Sequence, residues 1–134
     1  MMNETVATIM KTEVYTVNPT NTLADVFGLM KEHKIHHVPV IENNKLVGII
    51  TTYDMLKSNH KHDELASVNA NEIMTKKVAT LEPSSKIGTA AEVFLEHRFH
   101  GLPVVNENHE VVGMVTTHDV LSYEFRKEYP HNPW

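Results

Sequence analysis

The sequence predicts an α+β protein assembled twice from one β-α-β-β-α unit, its small sheets covered by helices. Two observations carry that expectation. Gly48-Ile49-Ile50-Thr51-Thr52-Tyr53-Asp54-Met55-Leu56 returns as Gly113-Met114-Val115-Thr116-Thr117-His118-Asp119-Val120-Leu121, with Gly, both Thr, Asp and the last Leu in register. Upstream, Ile9-Met10, Val14, Pro19, His33, His36 and Pro39-Val40 meet Ile73-Met74, Val78, Pro83, His97, His100 and Pro103-Val104 at an offset of 64 (9 to 73). Past the polar stretch Asn106-Glu107-Asn108-His109-Glu110 the offset becomes 65 (48 to 113). A one-residue slip confined to a polar turn is what two copies of one fold tolerate. A half of ~60 residues buries only about 60% of its unfolded surface, and two repeats are too few for an open solenoid. A closed pseudo-twofold pair sharing a core is therefore expected.

Each copy parses alike. Val14-Tyr15-Thr16-Val17 is a β-branched and aromatic run closed by Asn18-Pro19, and reads as a short strand. Thr22 caps a helix with Asp25 three residues on, and Leu23, Val26, Phe27 and Met30 follow at helical spacing. Ile87, Ala90, Ala91 and Phe94 form the corresponding stripe. Val38-Pro39-Val40-Ile41 and Leu46-Val47-Gly48-Ile49-Ile50 read as strands joined by a tight Asn43-Asn44 turn. Pro39 has no N–H and is expected at the start or edge of its strand. A second helix is expected from near Thr52 towards Asn59. The chain then divides into a first motif (1–58), a polar and partly helical linker (59–71), a second motif (72–127) and a tail (128–134), the two motifs forming one compact module. In the tail, Tyr129-Pro130-His131-Asn132-Pro133-Trp134 breaks the last helix; disorder, or docking of Trp134 on a partner, is the expectation there.

Composition removes several function classes. Apolar residues make up 41% and charged residues 22%, the balance of a soluble globular protein. With a net charge of −5 and 12 scattered Lys and Arg, the chain lacks the basic patch that nucleic acid or anionic membrane draws on. Absence of cysteine excludes disulfides, thiolate catalysis and Cys-type zinc sites. Met1-Met2-Asn3-Glu4 has neither the basic nor the apolar region of a signal peptide, and no apolar run approaches the ~20 residues of a membrane span. The expected location is the cytoplasm.

The ordered and repeated motifs Val38-Pro39-Val40-Ile41 with Gly48-x-x-Thr51-x-x-Asp54, and Leu102-Pro103-Val104-Val105 with Gly113-x-x-Thr116-x-x-Asp119, resemble a tandem pair of CBS domains, the regulatory modules named after cystathionine β-synthase. The Ile-Met openers at 9–10 and 73–74 support the resemblance, which covers roughly residues 5–125. It implies a stand-alone regulatory module that binds an adenosyl ligand (AMP, ADP, ATP or a related compound) in the clefts between the motifs and signals to an effector protein. It also implies association through the helices into a homodimer.

The site follows from chemistry and resemblance together. The start of each second helix presents unpaired N–H groups suited to phosphate, and Thr51 and Thr116 add hydroxyls there. Asp54 and Asp119 are acceptor-only when ionised, so they suit the paired hydroxyls of a ribose; the resemblance implies the same division of labour. Tyr15, Ile35, Ala79 and Phe99 are candidates to sandwich an adenine. In nucleotide-binding members of the family the position three before the Pro faces phosphate, which implies that role for His36 and His100. Tyr53 and His118 are second-rank phosphate contacts. His37 crowds the first site where Gly101 opens the second, so the site of Thr116, Asp119 and His100 is favoured if only one is used. No metal or other cofactor is required by this reading.

Other readings stay open. Thr-x-x-Asp is also a capping box that stabilises a helix start by ~1 kcal/mol with no ligand. The chain can therefore be a ligand-free interaction or dimerisation module. His33-x-x-His36 and His97-x-x-His100 could supply zinc, copper or nickel, although His33 and His97 at helix C-termini also complement the dipole. Catalysis is not expected, because the Thr, His and Asp spacing points to capping and nucleotide contact rather than a nucleophile with its base.

Overall fold

Residues 2–131 are described by the computed structural model; the docking expectation for Trp134 lies outside them. Helix α1 (Leu23–His33) starts at a reciprocal capping box. The Thr22 hydroxyl accepts from the Asp25 N–H at 3.2 Å, and Asp25 Oδ2 accepts from the Thr22 N–H at 2.9 Å. Leu23, Val26 and Met30 are buried, but Phe27 is 40% exposed and meets the His62 ring edge-on at 5.8 Å. The apolar stripe is thus narrower than expected: Phe27 lies at its margin, over the 3-10 segment His62–Ser67.

The Asp25 carboxyl is held below its ordinary value, chiefly by the Thr22 backbone N–H and then by the Asn21 side chain. A carboxylate depressed in the folded state contributes stability above its unfolded value near 4, and that contribution is lost as pH falls through the lower folded value. Asp25 is exposed, so the effect is small. Thermal melts of Asp25→Asn against the wild type are expected to show a gap at about pH 6 that closes below about pH 4. A gap independent of pH would assign it to packing instead.

Strands β1 (His37–Glu42) and β2 (Lys45–Thr51) pair antiparallel, as do β3 (Gly101–Val105) and β4 (Val111–Thr116). Asn43 and Asn44 carry φ of 53° and 67°, the two left-handed residues of a tight hairpin. The second hairpin accommodates its extra residue by a side-chain brace: Asn106 Oδ1 accepts from the N–H groups of Asn108 and Glu110, both at 2.9 Å. Helices α2 (Thr52–Ser58), α3 (Ile87–His97) and α4 (Thr117–Glu128) complete the elements.

The leading strand expected at Val14–Val17 is reduced to a single parallel bridge, Val17 with Val40; Leu81 with Val104 is its counterpart. That explains Pro39, which stands in mid-strand rather than at a strand start. Its carbonyl accepts from the Val17 N–H at 3.1 Å, so the missing N–H lies on the flank where β1 meets only this one-residue bridge.

Only one of the chain's two compact units is continuous in sequence. The first runs from Tyr15 to Val78; the second joins the residues up to Val14 with those from Ala79 onward. Each opener therefore completes the sheet of the other copy: Thr75 bridges Ile49 of β2, and Lys11 bridges Met114 of β4. Each unit has its own cluster of buried residues. The first includes Leu23, Val38, Ile50, Val68 and Ala70; the second includes Val6, Ile87, Leu102, Val104 and Val115. Opener backbone also serves the helix starts. Helix α3 has no side-chain cap, and its first N–H groups are taken by the carbonyls of Glu4 (Ile87, 2.8 Å) and Met2 (Gly88, 3.0 Å). Glu4 further accepts from the Tyr123 hydroxyl of α4 and lies 3.6 Å from Lys127 Nζ.

Candidate functional site

The two junctions that lead from β2 into α2 and from β4 into α4 are built alike. At the first, Asp54 Oδ2 accepts from the Thr51 N–H (2.8 Å) and hydroxyl (3.1 Å), while the Asp54 N–H donates to Thr51 Oγ1 at 3.1 Å. At the second, Asp119 Oδ2 accepts from the Thr116 N–H (2.8 Å) and hydroxyl (3.0 Å), and the Asp119 N–H donates to Thr116 Oγ1 at 3.3 Å. Capping is therefore in place at both sites. Yet these boxes differ from the one at Thr22 and Asp25: Asp54 and Asp119 are 8% and 7% exposed, whereas Asp25 lies at the surface. Burial of a carboxylate is costly unless its oxygens find donors. A surface cap has no need of it.

Backbone hydrogen bonds place the histidines beside these junctions. The Thr52 N–H donates to the His36 carbonyl at 3.0 Å, and the Thr117 N–H to the His100 carbonyl at 3.0 Å. His36 with Thr51 and Asp54, and His100 with Thr116 and Asp119, are thus assembled within single units. Both imidazoles are exposed, as are Tyr53 and His118. Tyr53 stands 66% exposed with Lys57 Nζ 5.7 Å from its ring centroid.

The adenine candidates divide between units, Tyr15 and Ile35 in the first, Ala79 and Phe99 in the second. Tyr15 stacks on His33 with ring centroids 3.6 Å apart, and Ile35 packs against the first buried cluster. In the second unit the positions exchange size. Ala79 replaces Tyr15, and Phe99, in place of Ile35, lies over His97 at 5.5 Å and is 41% exposed. Each copy therefore sets one aromatic ring over the last-turn histidine of its helix, from a different chain position.

Lys11 completes the second junction. Its Nζ lies 3.8 Å from Asp119 Oδ1. The pairing arises because the opener crosses to the other copy, where Lys11 bridges Met114 of β4. The partners of Gly48 and Gly113 likewise come from the openers. A Cβ on Gly48 would lie 2.5 Å from Met74 Sδ, and one on Gly113 would lie 2.6 Å from Met10 Sδ. The recurring Gly and the recurring Ile-Met are therefore two halves of one packing contact. Among the described residues no three His, Asp or Glu side chains converge to hold a metal ion. His60, in the polar linker, is half-buried, with its Nδ1 buried and without a hydrogen-bond partner.

The CBS domain family model matches residues 6–61 and 70–126. The chain belongs to the CBS-domain family. Protein MJ1225 of Methanocaldococcus jannaschii, itself uncharacterized, is 33% identical over 125 residues, covering 81% of this chain and 45% of its own length. This chain thus spans about half of that relative. The crystal structure of MJ1225 superposes with a TM-score of 0.85 at 30% identity, covering 92% of this chain and 48% of that one. CBSX2 of Arabidopsis thaliana, crystallised in complex with AMP, gives a TM-score of 0.84 at 27% identity over 93% of this chain and 98% of its own. The CBS domain pair of MJ0100, in complex with 5′-methylthioadenosine and S-adenosyl-L-methionine, gives 0.80 at 28% identity, covering 92% and 97%. The tandem CBS architecture and the α+β class are those expected from the sequence. No helix among the described residues is long and apolar enough to cross a membrane.

Proposed function

We propose that this CBS pair is a regulatory module of the cytoplasm, not an enzyme, that binds an adenosyl ligand and transmits its occupancy to an effector protein. The observation that carries the reading is the pair of buried carboxylates, Asp54 and Asp119, each held by one oxygen at a strand-to-helix junction with a histidine alongside. Complexes of CBSX2 with AMP and of the MJ0100 pair with two adenosyl compounds support it. In this reading the second carboxylate oxygen accepts from ribose hydroxyls. Thr51 and Thr116 turn their hydroxyls from the cap to a phosphate, and His36 or His100 approaches the same phosphate, with Tyr53 and His118 at its margin. Tyr15 with Ile35, and Ala79 with Phe99, provide the adenine surfaces.

Between the two, the site of Thr116, Asp119 and His100 is the better furnished. Helix α4 has 12 residues against seven for α2, Gly101 replaces His37, and the smaller Ala79 stands where the first copy has Tyr15. The reading includes a homodimer, supported by Leu56 on α2 and Leu121 on α4, which are 79% and 68% exposed at equivalent positions. Occupancy does regulatory work only if the ligand favours one arrangement over another.

A thermal-shift screen with AMP, ADP, ATP, NAD, S-adenosylmethionine, cyclic di-AMP and Zn²⁺ tests the proposal. A ligand at 100 times its Kd stabilises by ~2.7 kcal/mol, a rise of several degrees. A shift confined to adenosyl compounds is expected. A flat panel would favour the ligand-free interaction module, and a shift with Zn²⁺ alone would revive the histidine site.

A further inference from the structure

The two carboxylates are held alike but are not alike in charge. Lys11 is fixed beside β4 by two backbone hydrogen bonds with Met114, each 2.9 Å, and its ammonium lies 3.8 Å from Asp119 Oδ1. Thr75 makes the same pair of backbone bonds with Ile49 of β2, at 3.0 and 2.9 Å, and carries no charge. Among the described residues Asp54 has no ion pair. One copy thus sets a cation beside its buried carboxylate, and the other holds its carboxylate by hydrogen bonds alone.

We infer that Lys11 makes the Thr116–Asp119 junction the site for a nucleoside di- or triphosphate, whereas the Thr51–Asp54 junction takes an adenosyl ligand carrying one phosphate or none. The inference rests on the adenosyl reading above. A ribose held on the carboxylate brings its phosphates near that negative charge, and each further phosphate charge is repelled by it. At Asp119 the ammonium cancels the repulsion. The Lys11 side chain is 70% exposed on a fixed stem, so it can swing from the carboxylate to the added phosphates without moving the backbone. At Asp54 the repulsion stands, which selects against multiply charged ligands by negative means.

Lys11→Thr gives the second junction the residue that the first uses at the same backbone position; Thr75→Lys does the reverse. Isothermal titration of the full chain with AMP and with ATP reads both. Lys11→Thr is expected to weaken ATP at one site roughly tenfold and AMP by less than about threefold, an effect that shrinks with added salt. Thr75→Lys is expected to strengthen ATP at the other site, and carries the test alone should Lys11→Thr fail to fold. Equal changes for both nucleotides, or none, would overturn the inference while leaving adenosyl binding in place. A wild-type chain that binds neither nucleotide would overturn the adenosyl reading, and this inference with it.

Discussion

Asp54→Ala combined with Asp119→Ala is expected to weaken adenosyl binding by at least roughly 100-fold, since a hydrogen bond to a charged group contributes ~1.5–3 kcal/mol and each carboxylate would serve two ribose hydroxyls. The same double variant is expected to lose ~2 kcal/mol of stability, because each Asp also accepts from the N-cap N–H and hydroxyl of its helix. Two effects from one substitution require a control, and the fold contains one. Asp25 makes the same box with Thr22 at the start of α1, exposed and belonging to neither strand-to-helix junction. Asp25→Ala is expected to lower the melting temperature by a few degrees with affinity unchanged. If the Asp54/Asp119 variant loses stability but keeps its affinity, both carboxylates are caps and nothing more. A loss of affinity that survives correction for the folded fraction assigns them to the ligand.

Gly113→Ala is expected to destabilise by ~1–3 kcal/mol, the usual cost of forcing an extra methyl into a filled interior. The new Cβ would stand 2.6 Å from Met10 Sδ, 2.9 Å from Met10 Cγ and 3.0 Å from the Lys11 carbonyl oxygen. The methionine can yield; the carbonyl is held by its hydrogen bond from Met114. Met10→Ala should therefore relieve part of the cost, giving a coupling energy of at least ~0.5 kcal/mol in a double-mutant cycle followed by chemical denaturation. Gly113→Ala with Met74→Ala is expected to be additive, since Met74 packs on Gly48 instead. Coupling of Gly113 to Met74 rather than to Met10 would contradict the exchange of openers between copies.

Local patterns in the chain were sufficient for every element whose cause is local. The three Thr-x-x-Asp sequences became three capping boxes because the donors and acceptors sit within one helical turn. Asn43-Asn44 became a two-residue hairpin because asparagine tolerates the left-handed backbone that such turns demand. Leu23, Val26 and Met30 became core because spacing alone puts them on one face. The strand expected at Val14–Val17 failed for the complementary reason. Strand pairing is decided by the partner, and here the partner edge admits only Val17.

The candidate site divides along the same line. Repetition of Thr51 with Asp54 and Thr116 with Asp119, and the histidines three residues before each Pro, are legible as text, since each cluster is made by a strand end and the helix that follows it. What separates Asp54 and Asp119 from Asp25 is burial, and no pattern of four residues encodes that. Lys11 with Asp119, Met10 with Gly113 and Met74 with Gly48 join residues far apart in the chain, or across a whole motif, in pairings set by which copy an opener packs against. The sequence by itself determined the duplication, the fold class and the chemistry of each junction, because these rest on interactions within a few residues. Only the tertiary structure decided which opener completes which sheet, and hence which carboxylate has a lysine beside it, because long-range packing is chosen by the complementarity of whole surfaces.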